Sequence, residues 1–248
     1  MRNKFIIENG VVKSGKLTLI TGNCDFAQIS LDELSNYKYP IVFGDIDLSG
    51  QNLTKLPDMS NVTLYGDFLC NNNPLKSLKG IPKLVNGKVN CACCNINSLR
   101  HMPKYIGDGF DCSHNNISSL KHICQDISGD INFAYNQLTD LSWCISECQG
   151  CFNVSYNRLV SLAGQLDYVQ STLDCSYNYL KNTDGMPRTI YGDLILLGND
   201  LQPNTKLTGN VYGNIICDKK DTVQQHNVNK FNGLIGKIRS TFIPQRQL

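Results

Sequence analysis

The chain holds 248 residues, with 23 basic and 21 acidic side chains and a net charge of +2. That balance excludes a grossly basic nucleic-acid binder or an acidic tail protein, and 41% hydrophobic residues suffice for a packed core. No run approaches the ~18 apolar residues of a membrane helix, and Glu8 interrupts the N-terminal apolar stretch too early for a secretory h-region. The twelve cysteines therefore read as reduced thiols of a cytoplasmic protein.

In chain order, residues 1–43 form an N-terminal cap. Asn9-Gly10 and Ser14-Gly15 predict hairpin turns, Ser30-Leu31-Asp32-Glu33 fits a capping box opening a short helix, and Gly15–Leu19 has the look of a degenerate repeat start.

Residues 44–218 carry an internal repeat. Leu53, Leu75, Ile96, Ile117, Leu138, Leu159, Leu180 and Leu201 recur every 21 residues after one first step of 22. Two further columns keep step. One runs Leu48, Cys70, Cys91, Cys112, Phe133, Val154, Cys175, Leu196, Cys217; the other runs Ile46, Phe68, Val89, Phe110, Ile131, Phe152, Leu173, Leu194, Ile215. A fixed period of this length means a solenoid, because one strand per unit buries its apolar face only by stacking on its neighbours. Asn73, Asn115, Asn136, Asn157, Asn178 and Asn199 form a fourth column, broken by Gln51 and Cys94, whose amides suit backbone groups leaving the strand. Gly-Asp pairs at 44–45, 66–67, 107–108, 129–130 and 192–193 read as turns before the strands. Prolines predict an extended or 3₁₀ return arm. Over 219–248, Val228, Phe231, Ile235, Ile238 and Phe242 make one apolar helical stripe, a C-terminal capping helix with a basic face.

Units such as Ile131-Asn-Phe-Ala-Tyr-Asn-Gln-Leu138 and Leu173-Asp-Cys-Ser-Tyr-Asn-Tyr-Leu180 resemble the leucine-rich repeat, L-x-L-x-x-N-x-L, in the short-period form of bacterial effectors and tailed-phage proteins. The resemblance covers about residues 44–218. It implies a β-rich α/β solenoid: a horseshoe with a parallel sheet on its concave face, a mostly non-helical convex side and capped ends. It also implies a binding module rather than an enzyme, one that blocks a bacterial host or defence protein in the host cytoplasm.

The chemistry of the residues points the same way. His101, His114, His122 and His226 sit in no catalytic motif, no phosphate-binding glycine loop follows a strand, and no cofactor is expected. Cys144, Cys148 and Cys151 invite a metal reading; without a paired C-x₂-C motif no metal ligand is assigned, and a metal-binding cysteine-cluster protein stays an alternative. The outward concave column includes Asp111, Asn132, Asn153, Asp174 and Ile195. Across it and its two flanking columns, eight acids face one lysine. Tyr135, Tyr156 and Tyr177, preceded in phase by His114, line the strand-to-loop edge. These nine residues are the candidate interface for a protein with a basic or arginine-bearing surface, on which arginine stacks on tyrosine and pairs with aspartate. No membrane partner is expected. Nucleic acid, itself not the expected partner, or another polyanion is a further alternative, through the basic C-terminal helix, where 219–248 carries 6 basic and 1 acidic residues.

Overall fold

Apolar residues two apart, such as Phe152 and Val154, point to the same side of an extended strand, so the residue between them must point to the other. In the computed structural model, which describes residues 6–8, 11–14, 17–21, 40–219 and 223–224, this alternation builds a parallel β-solenoid. Nine short strands, from Ile46–Asp47 to Ile215–Ile216, stack in sequence order into one sheet, which makes eight coils with a 21-residue period after the first. The register is that of the columns: Phe110 pairs with Val89 and Ile131, and Phe152 with Ile131 and Leu173. Both apolar columns are buried along almost their whole length. No helix occurs among the described residues, so the helical share of an α/β solenoid is not seen there. The short helix expected near Ser30 and the C-terminal capping helix lie outside them.

The return arm is not simply irregular. Just before seven of the nine strands of the main sheet, a short second strand holds an inward residue: Leu64, Val85, Ile106, Cys148, Val169, Ile190 and Val211, all buried. These strands pair in parallel on either side of an isolated bridge between Ile106 and Ile127, so a second ribbon flanks the first. At its start, strands Ile6–Glu8, Val11–Ser14 and Leu17–Thr21 pair antiparallel, and Leu17–Thr21 then pairs in parallel with Pro40–Phe43.

The corner between the two ribbons explains the Gly-Asp signal. A Cβ on Gly66 would lie 2.3 Å from the Gly44 carbonyl oxygen, and one on Gly213 would lie 2.4 Å from the Gly192 carbonyl carbon, so successive corners touch through bare backbone. The adjacent aspartate ties the rungs together: Asp45 Oδ1 accepts from the Asp67 N–H, Asp67 from Lys88, Asp130 from Cys151 and Asp193 from Asn214, at 2.7–2.8 Å. Gly107-Asp108 is the exception. Strand register places Asp108 opposite Gly87 and sets Gly109 in the aspartate column, one residue out of phase with the other four pairs.

Each asparagine of the inner ladder joins two coils. Asn136 Nδ2 donates to the carbonyls of Cys112, Phe133 and Ala134, and its Oδ1 accepts from the Ile117 N–H one coil earlier. At the interruption, the Cys94 thiol donates to the Cys70 and Ala92 carbonyls but supplies no acceptor oxygen, and the Leu75 N–H turns instead to Asn73 O. Cys94→Asn should therefore raise stability by about 1 kcal/mol in urea denaturation, through one recovered buried hydrogen bond. A loss would show that this coil has closed around the smaller thiol.

Candidate functional site

Where the chain leaves the main sheet, one residue per coil adopts left-handed backbone geometry. Gly50, Asn72, Cys93, His114, Tyr135, Tyr156, Tyr177 and Gly198 all have φ between 52° and 66°. Glycine and asparagine accept this conformation readily, whereas a bulky residue is strained by about 1–2 kcal/mol. The strain is offset by contact. The His114 and Tyr135 rings stack at 4.2 Å and 11°, Tyr135 and Tyr156 at 4.2 Å and 7°, and Tyr156 and Tyr177 at 4.3 Å and 13°. Gly198 closes the row, since a Cβ there would sit 2.5 Å from the Tyr177 ring. The four rings thus form one continuous stack.

This geometry limits what the ladder offers. Ring faces are used up by neighbouring rings, so a partner meets edges and hydroxyls. The three tyrosines are 40–49% exposed. The flanking rings withdraw water from the Tyr156 hydroxyl, and the Tyr135 and Tyr177 hydroxyls add to the effect, which pushes its pKa up to about 12. The fold favours the neutral phenol. That contribution is present below the ordinary tyrosine range near 10 and is lost as pH rises toward 12. Absorbance titration should show one tyrosine class ionising near pH 12 that returns to the ordinary range in Tyr135→Gly/Tyr177→Gly; an unchanged high class in that variant would place the cause elsewhere.

Beside the ladder lies the outward column of the sheet. Asp111, Asn132, Asn153 and Asp174 are half-buried, and each uses Oδ1 to accept the N–H two residues on, at Ser113, Ala134, Ser155 and Ser176. These Asx turns steer the chain from strand to tyrosine position. Asp111 and Asp174 retain a second carboxylate oxygen outside that bond. Ile195 is half-buried and pairs with Ile216, which is 37% exposed, so the C-terminal end of this face is apolar. Because Gly109 has no side chain between Lys88 and Asp130, the face dips there into a depression of about 280 Å3, walled by Leu69, Asn90, Asp111, Asp130 and Asn132. All nine sequence-predicted residues thus share one end of the coils: four on the stacked edge, five on the adjoining column. The depression escaped sequence reading because it arises from the phase slip at Gly107-Asp108.

The cysteines do other work. The eleven described are free thiols, and Cys70, Cys91, Cys112 and Cys175 are fully buried in the core. Burial pushes Cys144 up to about 12 and Cys148 up to about 11. Cys148 donates toward the Gly129, Gly150 and Cys151 carbonyls, while Cys151 contacts the Ser171 hydroxyl. Among the described residues no group of three or more His, Cys, Asp or Glu is placed to hold a metal ion. No helix of the described residues is long and apolar enough to cross a membrane.

Compared with known proteins, the chain matches no family model, no curated protein and no solved structure.

Proposed function

We propose that this solenoid is a horseshoe of the leucine-rich-repeat type and works as a non-catalytic protein-binding module. The observation that carries the reading is the strained aromatic stack beside a half-buried Asx column. Four bulky residues occupy a conformation that glycine would adopt without strain, and they hold a rigid row of ring edges and hydroxyls at the rim of the sheet. Rigid aromatic edges with polar tips suit an interface, since little conformational freedom is lost on docking. The free oxygens of Asp111 and Asp174 and the depression at Gly109 favour a partner that presents arginine or lysine between apolar groups. Resemblance to short-period bacterial and phage repeats supports a partner in a bacterial cytoplasm, with blockade of a host or defence protein as the expected outcome of binding.

The test is recovery of a partner on immobilised protein, followed by calorimetry with Tyr135→Gly/Tyr156→Gly/Tyr177→Gly. Glycine suits the backbone at all three positions, so the variant isolates the rings. Affinity should fall at least 30-fold, about 2 kcal/mol, as for aromatic hot spots. Full affinity in the folded triple variant would move the interface away from this edge.

A further inference from the structure

The return arm carries a second repeated feature, on turns away from the tyrosine ladder. In successive coils, Ile81, Met102, Ile123 and Cys144 donate their N–H to the carbonyls of Leu78, Leu99, Leu120 and Leu141. Each bond closes a tight turn whose central pair is Lys79-Gly80, Arg100-His101, Lys121-His122 or Ser142-Trp143. Ser77, Ser98, Ser119 and Asp140 buttress these turns by accepting the N–H two residues on. The second central residue is left-handed throughout: Gly80 at 102°, His101 at 70°, His122 at 74° and Trp143 at 67°. Gly185 fills the same place two coils further on, at 76°. Type II turns call for glycine there. Three coils instead place a large planar side chain, and all three are exposed, Trp143 by 57%.

Unlike the His114–Tyr177 stack, these rings are not consumed by one another. Among the described residues no aromatic pair includes His101, His122 or Trp143. Strain without mutual stacking leaves flat, solvent-facing rings with no structural return.

Of the cations beside these rings, Lys79 has the Asp58 carboxylate near it, and the others are in no ion pair among the described residues. Lys79, Arg100 and Lys121 form one exposed column, and Lys83 and Lys104, joined by a backbone hydrogen bond of 2.8 Å, form a second. Like charges on neighbouring rungs, roughly 5 Å apart, repel. Among the described residues the ion pair within reach of a bridge is Arg188–Asp167, away from this ridge. Exposed carboxylates stand at its two ends: Asp58, whose Oδ1 accepts from Ser60 and whose charged form Lys79 also favours, and Asp140, whose Oδ1 accepts from Ser142. From Phe68 to Gly107 the chain holds six cations and no carboxylate. The ridge begins at a depression of about 290 Å3 with Lys55, Asp58 and Lys79 on its rim. The near-neutral net charge hides this because the acids fall outside the stretch from Phe68 to Gly107.

We propose that this ridge binds single-stranded nucleic acid, with Lys79, Arg100, Lys121, Lys83 and Lys104 on phosphates and His101, His122 and Trp143 stacked against bases. Registered cations alone would suit any polyanion. Exposed rings interleaved with them, held at a backbone cost, select one whose charges alternate with planar groups. The four turns span about 14 Å, room for about three phosphates. This inference does not depend on the protein-binding reading of the sheet edge.

Trp143 is the chain's single tryptophan, so its fluorescence reports from the ridge itself. Titration with a short oligothymidylate should quench that emission, with an affinity that falls with salt at a log–log slope of about −2, as for three phosphates on a single strand. Lys79→Glu/Arg100→Glu/Lys121→Glu should weaken binding at least tenfold and flatten the slope. His101→Gly/His122→Gly/Trp143→Gly, read by anisotropy of labelled oligonucleotide, should also weaken binding at least tenfold while its denaturation midpoint holds or rises, which separates lost stacking from lost folding. Binding unaffected by both variants would assign it to another basic segment and overturn the proposal. So would absence of quenching, or equal binding of poly-glutamate, which would mark the ridge as a site for an acidic protein.

Discussion

Phe152→Ala should cost about 3–5 kcal/mol of unfolding free energy, read from the urea midpoint and slope. The Phe152 ring is fully buried, and the backbone at Phe152 is paired on both sides, to Ile131 and Leu173. Neighbouring coils are fixed at strand spacing by their ladder bonds, so the sheet cannot collapse into the hole, and the loss includes the cavity as well as the transfer of the ring. Phe43→Ala supplies the contrast. Phe43 is 43% exposed and stacks on Tyr65 at 4.7 Å, so its removal should cost about 1 kcal/mol. Equal losses at the two sites would show that the inward column is not the core.

Asn136→Ala should be nearly as damaging, at about 3 kcal/mol or more. It removes three donated bonds and one accepted bond and leaves the Ile117 N–H and three carbonyls without the amide that satisfies them, in a place where Asn136 itself is 8% exposed. Each buried group left unpaired costs about 1–3 kcal/mol. Asn136→Asp tests the split: its carboxylate still accepts from Ile117 but donates nothing, so it should fail as badly as alanine at neutral pH. Stability within 1 kcal/mol of wild type in either variant would mean that water replaces the amide.

The inner architecture was legible because it rests on strong periodicities. Apolar residues two apart, repeated every 21, specify strand, face and neighbour together, and the asparagines mark the turn. The second ribbon was not legible. Its strands are two or three residues long and present one inward residue per coil, such as Val85 or Val169, so there is no alternation to see. The left-handed columns were half legible. Glycine at 50, 80, 185 and 198 announces positive φ, but tyrosine and histidine normally avoid it, and only the common phase with those glycines reveals what Tyr135 or His101 must adopt. The Gly-Asp signal misled at 107–108, where strand register overrides the turn dipeptide and opens the depression at Gly109. The tyrosine column was visible as a column; that its faces are closed by mutual stacking follows only from the ring geometry.

The asparagine ladder also has a direction. Ile96 is held by Asn115, Ile117 by Asn136, Leu138 by Asn157, Leu159 by Asn178 and Leu180 by Asn199, each amide standing 19 residues later in the chain than the N–H it captures. A coil is therefore complete only when its successor has arrived. On a ribosome, the growing protein locks each turn one coil behind the emerging end, and the newest turn waits with an open N–H until the following asparagine docks. Unravelling from that end runs the other way: loss of the last coil frees the N–H that the coil before it had committed, so each turn undone exposes the next.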